Sequence, residues 1–201
     1  MAFKGVDVGS EAYKSLELDT SGSMRVPRAL LSLSSVLERS IEKNEKLLIS
    51  STRARENEPV TIFHSTKTPN ISVRHYIERI FKYSRCSPSC FVIAQIYMDR
   101  FFQHRGGYLT SLNVHRLLIT SAMIAAKFSD DGRCANAYYA KIGGVSNAEM
   151  NGMELEFLFV VDFRLFVTTE EFEKYCEQLD NAIAEDYRRQ NRRVLRTARG
   201  G

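Results

Sequence analysis

Two consecutive segments in the middle of the chain constrain its fold more than anything else in it. Residues 88–103, PSCFVIAQIYMDRFFQ, are apolar on nearly every side, and only Gln95, Asp99 and Gln103, spaced by four, form a narrow polar stripe. Residues 111–128, SLNVHRLLITSAMIAAKF, repeat the pattern with a stripe through Asn113, Arg116, Thr120 and Lys127. A helix that is apolar all round must be surrounded by other elements. Neither segment reaches the roughly 20 apolar residues that cross a bilayer. The pair therefore predicts a helical core that neighbouring helices must enclose. The 201 residues suffice for one such domain without disulfide staples.

The flanking sequence supplies those neighbours. Leu30, Leu33, Leu37, Ile41 and Leu48 share one helical face behind Pro27, a residue suited to a first helical turn. Val73, Ile77, Ile80 and Phe81 stripe a helix near 71–84, with Arg74, Glu78 and Lys82 on its wet side. Ser87-Pro88 reads as the start of the first central helix, and Gly106-Gly107 as its stop. Thr110 is placed to cap the second. A short helix at Asn136–Ile142 ends at Gly143-Gly144. Ser146 to Glu149 and Thr168 to Glu171 are capping-box spellings, opening helices to about 162 and 185. Residues 50–70, with Pro59 and Pro69, read as a linker. No stretch reads as a convincing strand, so the expected class is all-α. The expected organisation is a disordered leader (1–25), a body of N-terminal helix, linker and helical domain (26–168), a C-terminal helix packed on it (169–185) and a basic disordered tail (186–201).

Several chemistries find no support. No GxGxxG, GxxxxGK[ST] or GxSxG motif is present, which leaves phosphate-cradling loops and nucleophile elbows without a candidate. Cys86, Cys90, Cys134 and Cys176 form no CxxC pair, and His64, His75, His104 and His115 are scattered, so neither a metal site nor a cofactor is expected. Reduced thiols suit a nuclear or cytoplasmic protein. The N-terminus lacks the apolar stretch of a signal peptide, so secretion is not expected. Asp130-Asp131 resembles a paired-carboxylate site, but adjacent loop acids seldom converge on one substrate. The net charge of +4 hides an asymmetry. Arg188, Arg189, Arg192, Arg193, Arg196 and Arg199 crowd the tail, and the rest of the chain is slightly acidic. Such tails serve as nuclear signals read by an import receptor, as nucleic-acid arms or as hooks for an acidic partner, and a solvated tail with no specific ligand is the alternative of equal weight.

Several stretches, in order, resemble the cyclin box. They are YMDRFF (97–102), Ala125-Ala126-Lys127-Phe128 followed by Asp130-Asp131, Met153-Glu154, and Phe163-Arg164-Leu165. The stretch NAYYAKIGGVS (136–146) is similar to plant U-type, or P-type, cyclins. The resemblance spans about 26–180 and implies a single five-helix cyclin box with an extra N-terminal helix and a C-terminal helix. It implies a non-catalytic regulatory subunit that forms a heterodimer with a cyclin-dependent kinase and activates it by positioning its regulatory helix, in cell-cycle or nutrient (phosphate) signalling. Residue by residue, Lys127 and Glu154 match groups that hydrogen-bond the kinase, and Phe128, Leu158 and Leu165 match apolar positions that pack on it. Glu154, Leu158, Val161 and Leu165 are spaced so that one helical face could present them together. There is no tryptophan and no Met-Arg-Ala-Ile-Leu run, so the substrate-docking surface of larger cyclins is not expected. Two alternatives stand beside this reading: a cyclin-fold adaptor for nucleic acid, which the near-neutral body disfavours, and a protein that holds a kinase without activating it.

Overall fold

The computed structural model describes residues 11–18, 25–56, 58–130 and 135–197, without the side chains of 55, 186, 187 and 189–197. Among these the structure is helical, with no strand. The order is α1 (Glu11–Ser15), α2 (Arg28–Ser50), α3 (Thr52–Glu56), α4 (Val73–Ser84), α5 (Ser89–Arg105), α6 (Val114–Ser129), α7 (Asn136–Gly143), α8 (Asn147–Val160) and α9 (Thr169–Thr197). Helices α4 to α8 form the five-helix body. The two central helices, α5 and α6, pack most extensively on each other, as their all-round apolarity requires. Buried residues run almost without break from Cys90 to Met98 and from Leu117 to Ala126.

The helix starts follow local chemistry. The Ser72 side chain caps α4 by accepting from His75 N at 3.2 Å. Ser146 and Glu149 complete the expected capping box, with the two bonds at 3.1 and 2.9 Å. Thr168 Oγ1 accepts from Glu171 N. Ser87 differs from expectation: its hydroxyl caps no helical amide. Its N–H and Oγ both donate to the Asp130 carboxylate, at 2.7 and 2.9 Å, tying the start of α5 to the end of α6. Nor does Thr110 cap α6. Asn113 stands there, its Oδ1 accepting from Thr110 N.

Three expectations are corrected by packing. The linker is not free, because Phe63 is wholly buried and meets Phe101 and Phe157 at centroid distances of 5.2 and 6.1 Å. The part of the leader from residue 11 to 18 is ordered by α9. Leu16 and Leu18 are buried, and Ser15 Oγ donates to Asp180 Oδ1 at 2.6 Å. The last helix does not stop near 185 but continues to Thr197, through arginine-rich sequence of good helix propensity. The basic segment thus carries helical backbone, and Arg199 lies outside the described residues. The polar stripes are also partly covered: Gln95 and Thr120 are buried, and Asp99 accepts from the Tyr175 hydroxyl of α9 at 2.8 Å.

Candidate partner-binding face

Helix α6 emerges from the core at its C-terminal end. Ala125 and Ala126 are buried, and the next two residues, Lys127 and Phe128, are exposed. A cation here suits the negative end of the helix dipole. Lys127 Nζ donates to Glu154 Oε1 of α8 at 2.7 Å. It also donates to Asn136 Oδ1 at the start of α7. Asn136 Nδ2 in turn donates to Glu154 Oε2 at 2.6 Å and to Asn151 Oδ1 at 2.8 Å. Three helices are therefore clasped by one polar cluster. The lysine and the glutamate are one-third and one-fifth exposed, which leaves both within reach of a partner.

Helix α8 is apolar on two sides. Met150, Met153 and Phe157 face the core, and Phe157 stacks on Phe101 at 5.1 Å. Leu155 and Phe159, one turn apart, point into solvent with 55% and 64% exposure. After Val160 the chain reverses sharply. Asp162 and Phe163 both adopt the left-handed conformation, with φ near +53° and +54°. Phe163 N donates back to Leu158 O at 2.9 Å, closing the helix end. Two consecutive non-glycine residues there store strain. What holds them is a strap, residues 164–167, bound down to α5. The guanidinium of Arg100 donates to the carbonyls of Arg164 and Phe166 at 2.6 and 3.0 Å, and to Glu171 of α9 at 2.5 Å. The Tyr97 hydroxyl donates to Leu165 O at 2.7 Å, and burial pushes that phenol's pKa up. This anchoring displays Phe163 and Phe166, 56% and 73% exposed, with the Phe163 ring edge-on to Phe159 at 5.5 Å.

The structure brings Lys127 and Glu154 into contact and leaves Phe128 open beside them. Leu158 and Leu165 are half-buried against the core. The single helical face is corrected, because Val161 is wholly buried and Leu165 lies beyond the left-handed reversal, outside the helix. Sequence reasoning missed Leu155, Phe159 and Phe166 as surface residues, and the clasping role of Asn136 and Asn151. The available signal was surplus: α8 carries more apolar side chains than one buried face can take. Of the acidic pair, Asp130 is committed to Ser87, and Asp131 lies outside the described residues. Among the described residues no His/Cys/Asp/Glu group is arranged to hold a metal, and no helix is long and apolar enough to cross a membrane.

Comparison with known proteins agrees with this geometry. The family model for cyclins matches residues 27–165. Cyclin-P3-1 of Oryza sativa subsp. japonica is 51% identical over 178 residues, covering 87% of this chain and 74% of the relative. Cyclin-U3-1 of Arabidopsis thaliana is 46% identical over 177 residues, covering 86% and 78%. Cyclin-U4-1 of Arabidopsis thaliana is 50% identical over 153 residues, covering 75% and 74%. With its buried helix pair, its five-helix body and these matches, the chain belongs to the cyclin family and is similar to the plant P- and U-type cyclins.

Proposed function

We propose that this cyclin binds a cyclin-dependent kinase as a non-catalytic subunit and activates it through the face just described. The observation that carries the proposal is the conjunction of the Lys127–Glu154 pair with the exposed side chains of Phe128, Leu155, Phe159 and Phe163. An apolar patch rimmed by hydrogen-bonding charges is suited to a protein partner. Leu158 and Leu165, half-buried against the core, add apolar surface near it. Lys127 offers N–H donors and Glu154 acceptor oxygens to the exposed backbone groups of a partner helix. The kinase helix that lies on such a face carries the glutamate whose ion pair with the ATP-binding lysine is required for phosphoryl transfer. A cyclin that binds the active placement better than the inactive one shifts the population toward it. The proposed setting is cell-cycle or nutrient signalling, in the nucleus or cytoplasm.

The test is protein-kinase activity of purified cyclin-dependent kinases with and without this chain, beside a Lys127→Glu/Glu154→Lys double variant. The double reversal keeps two opposite charges facing each other inside the cyclin, so the fold has an internal control. It presents the wrong sign to the kinase at both places. Activation by the native chain and a loss of at least tenfold in the variant is the expected result. Binding without activation replaces the proposal with a holding role, and equal activation by both proteins removes the face from it.

A further inference from the structure

A second surface, separate from the Lys127–Glu154 face, stands out by its charges. Every described lysine and arginine between Val73 and Leu165 except four has a carboxylate partner: Arg74 with Glu78, Arg100 with Glu171, Arg105 with Glu156, Arg116 with Glu149, Lys127 with Glu154, and Arg164 with Asp162. The four without one among the described residues are Arg79, Lys82, Arg85 and Lys141, and all are exposed. They are also neighbours. Arg79 and Lys141 line a groove of about 480 Å³ between α4 and α7, together with Tyr83, Tyr138 and Ile142. Lys82 Nζ lies 5.4 Å from the centre of the Tyr83 ring, and Arg85 follows at the left-handed end of α4.

The groove is built rather than incidental. The Tyr138 hydroxyl donates to Tyr83 O, and Arg79 Nη2 reaches Lys141 O at 3.4 Å, so its two walls are joined across the floor. Tyr83 and Tyr138 are 51% and 40% exposed, which leaves amphipathic ring surface between the cations. Lys82 and Lys141 stand in the last turns of their helices, where the dipole favours a cation. The dipole also suits Arg85 at the C-cap of α4, and Arg79 shares a carbonyl of α7, but no carboxylate among the described residues answers any of the four charges. Cations without a carboxylate partner around exposed aromatic rings match an acidic chain with interspersed apolar side chains.

We infer that the α4–α7 groove is a docking site for a glutamate- or aspartate-rich segment of a partner protein. It is independent of the kinase proposal, since neither Lys127 nor Glu154 belongs to it. The test is fluorescence anisotropy of a fluorescein-labelled peptide of Glu-Glu-Leu repeats, titrated with the full chain at low and at physiological salt. The expected result is saturable binding that weakens with salt and falls roughly tenfold in an Arg79→Gln/Lys141→Gln variant, the loss of two desolvated charge contacts. An Arg79→Lys/Lys141→Arg variant, which keeps the charge, should retain most of it, and circular dichroism on both checks the fold. The inference is overturned if the peptide does not bind, if the glutamine variant binds it equally, if a Lys-Lys-Leu peptide binds as well, or if poly-uridylate displaces it at much lower concentration.

Discussion

Glu149 illustrates how much one residue of this chain carries. Its carboxylate accepts the Ser146 N–H, the Arg116 guanidinium and sits beside the Ser146 hydroxyl, which together lower its pKa from 4.5 to about 2. A group whose pKa is depressed by folding stabilises the native state above its unfolded value, and that stability is lost as pH falls through the folded one. The loss therefore belongs to the window from about 4.5 down to about 2. The side chain is 43% exposed, so solvent screening holds the effect to about 1 kcal/mol. Urea unfolding of a Glu149→Gln variant should show a smaller drop between pH 7 and pH 3 than the native chain. The cap was legible because Ser146 and Glu149 are three residues apart, whereas Arg116 arrives from another helix and left no local trace. Lys127 and Glu154 were likewise legible through their motifs, but not their bond to each other or to Asn136. Phe159 and Phe163 were opaque, because a phenylalanine in an apolar run is by default a core residue.

At the scale of elements, the strap after α8 depends on Arg100 more than on its own sequence. One guanidinium serves two carbonyls and a carboxylate, a fork that an ammonium cannot reproduce. An Arg100→Lys variant is expected to keep its helix content and to bind kinase about tenfold more weakly, measured by calorimetry against the native chain. Unchanged affinity would show that the strap holds without the fork. Period, helped at α8 by its capping box, sufficed to place α2 and α4 to α8 within a few residues. They failed where burial is decided by a distant surface. Leu16, Leu18 and Phe63 have no helical spacing around them, and each is buried because α2, α9 or the aromatic cluster of α5 and α8 offers it a seat. The Gln95–Asp99 stripe is partly covered for the same reason, since Tyr175 of α9 bonds Asp99.

For the whole molecule, the class follows from the buried pair α5 and α6, and the stability from what closes around them. Phe63, Phe101 and Phe157 join the 50–70 segment, a central helix and α8 in one cluster. Truncating the middle of such a cluster costs about 3–5 kcal/mol, out of about 5–15 kcal/mol for a typical domain. A Phe157→Ala variant should accordingly shift the urea midpoint sharply and loosen the outward residues of α8 with it. The same molecule leaves Leu155, Phe159, Phe163 and Phe166 in water. A chain in that condition is sticky whenever it is made in excess, since exposed apolar surface of this kind feeds aggregation. Under the proposed kinase binding, its safe abundance becomes a matter of stoichiometry, and each copy produced beyond the supply of a covering subunit is a burden on chaperones and proteases rather than a reserve of regulator.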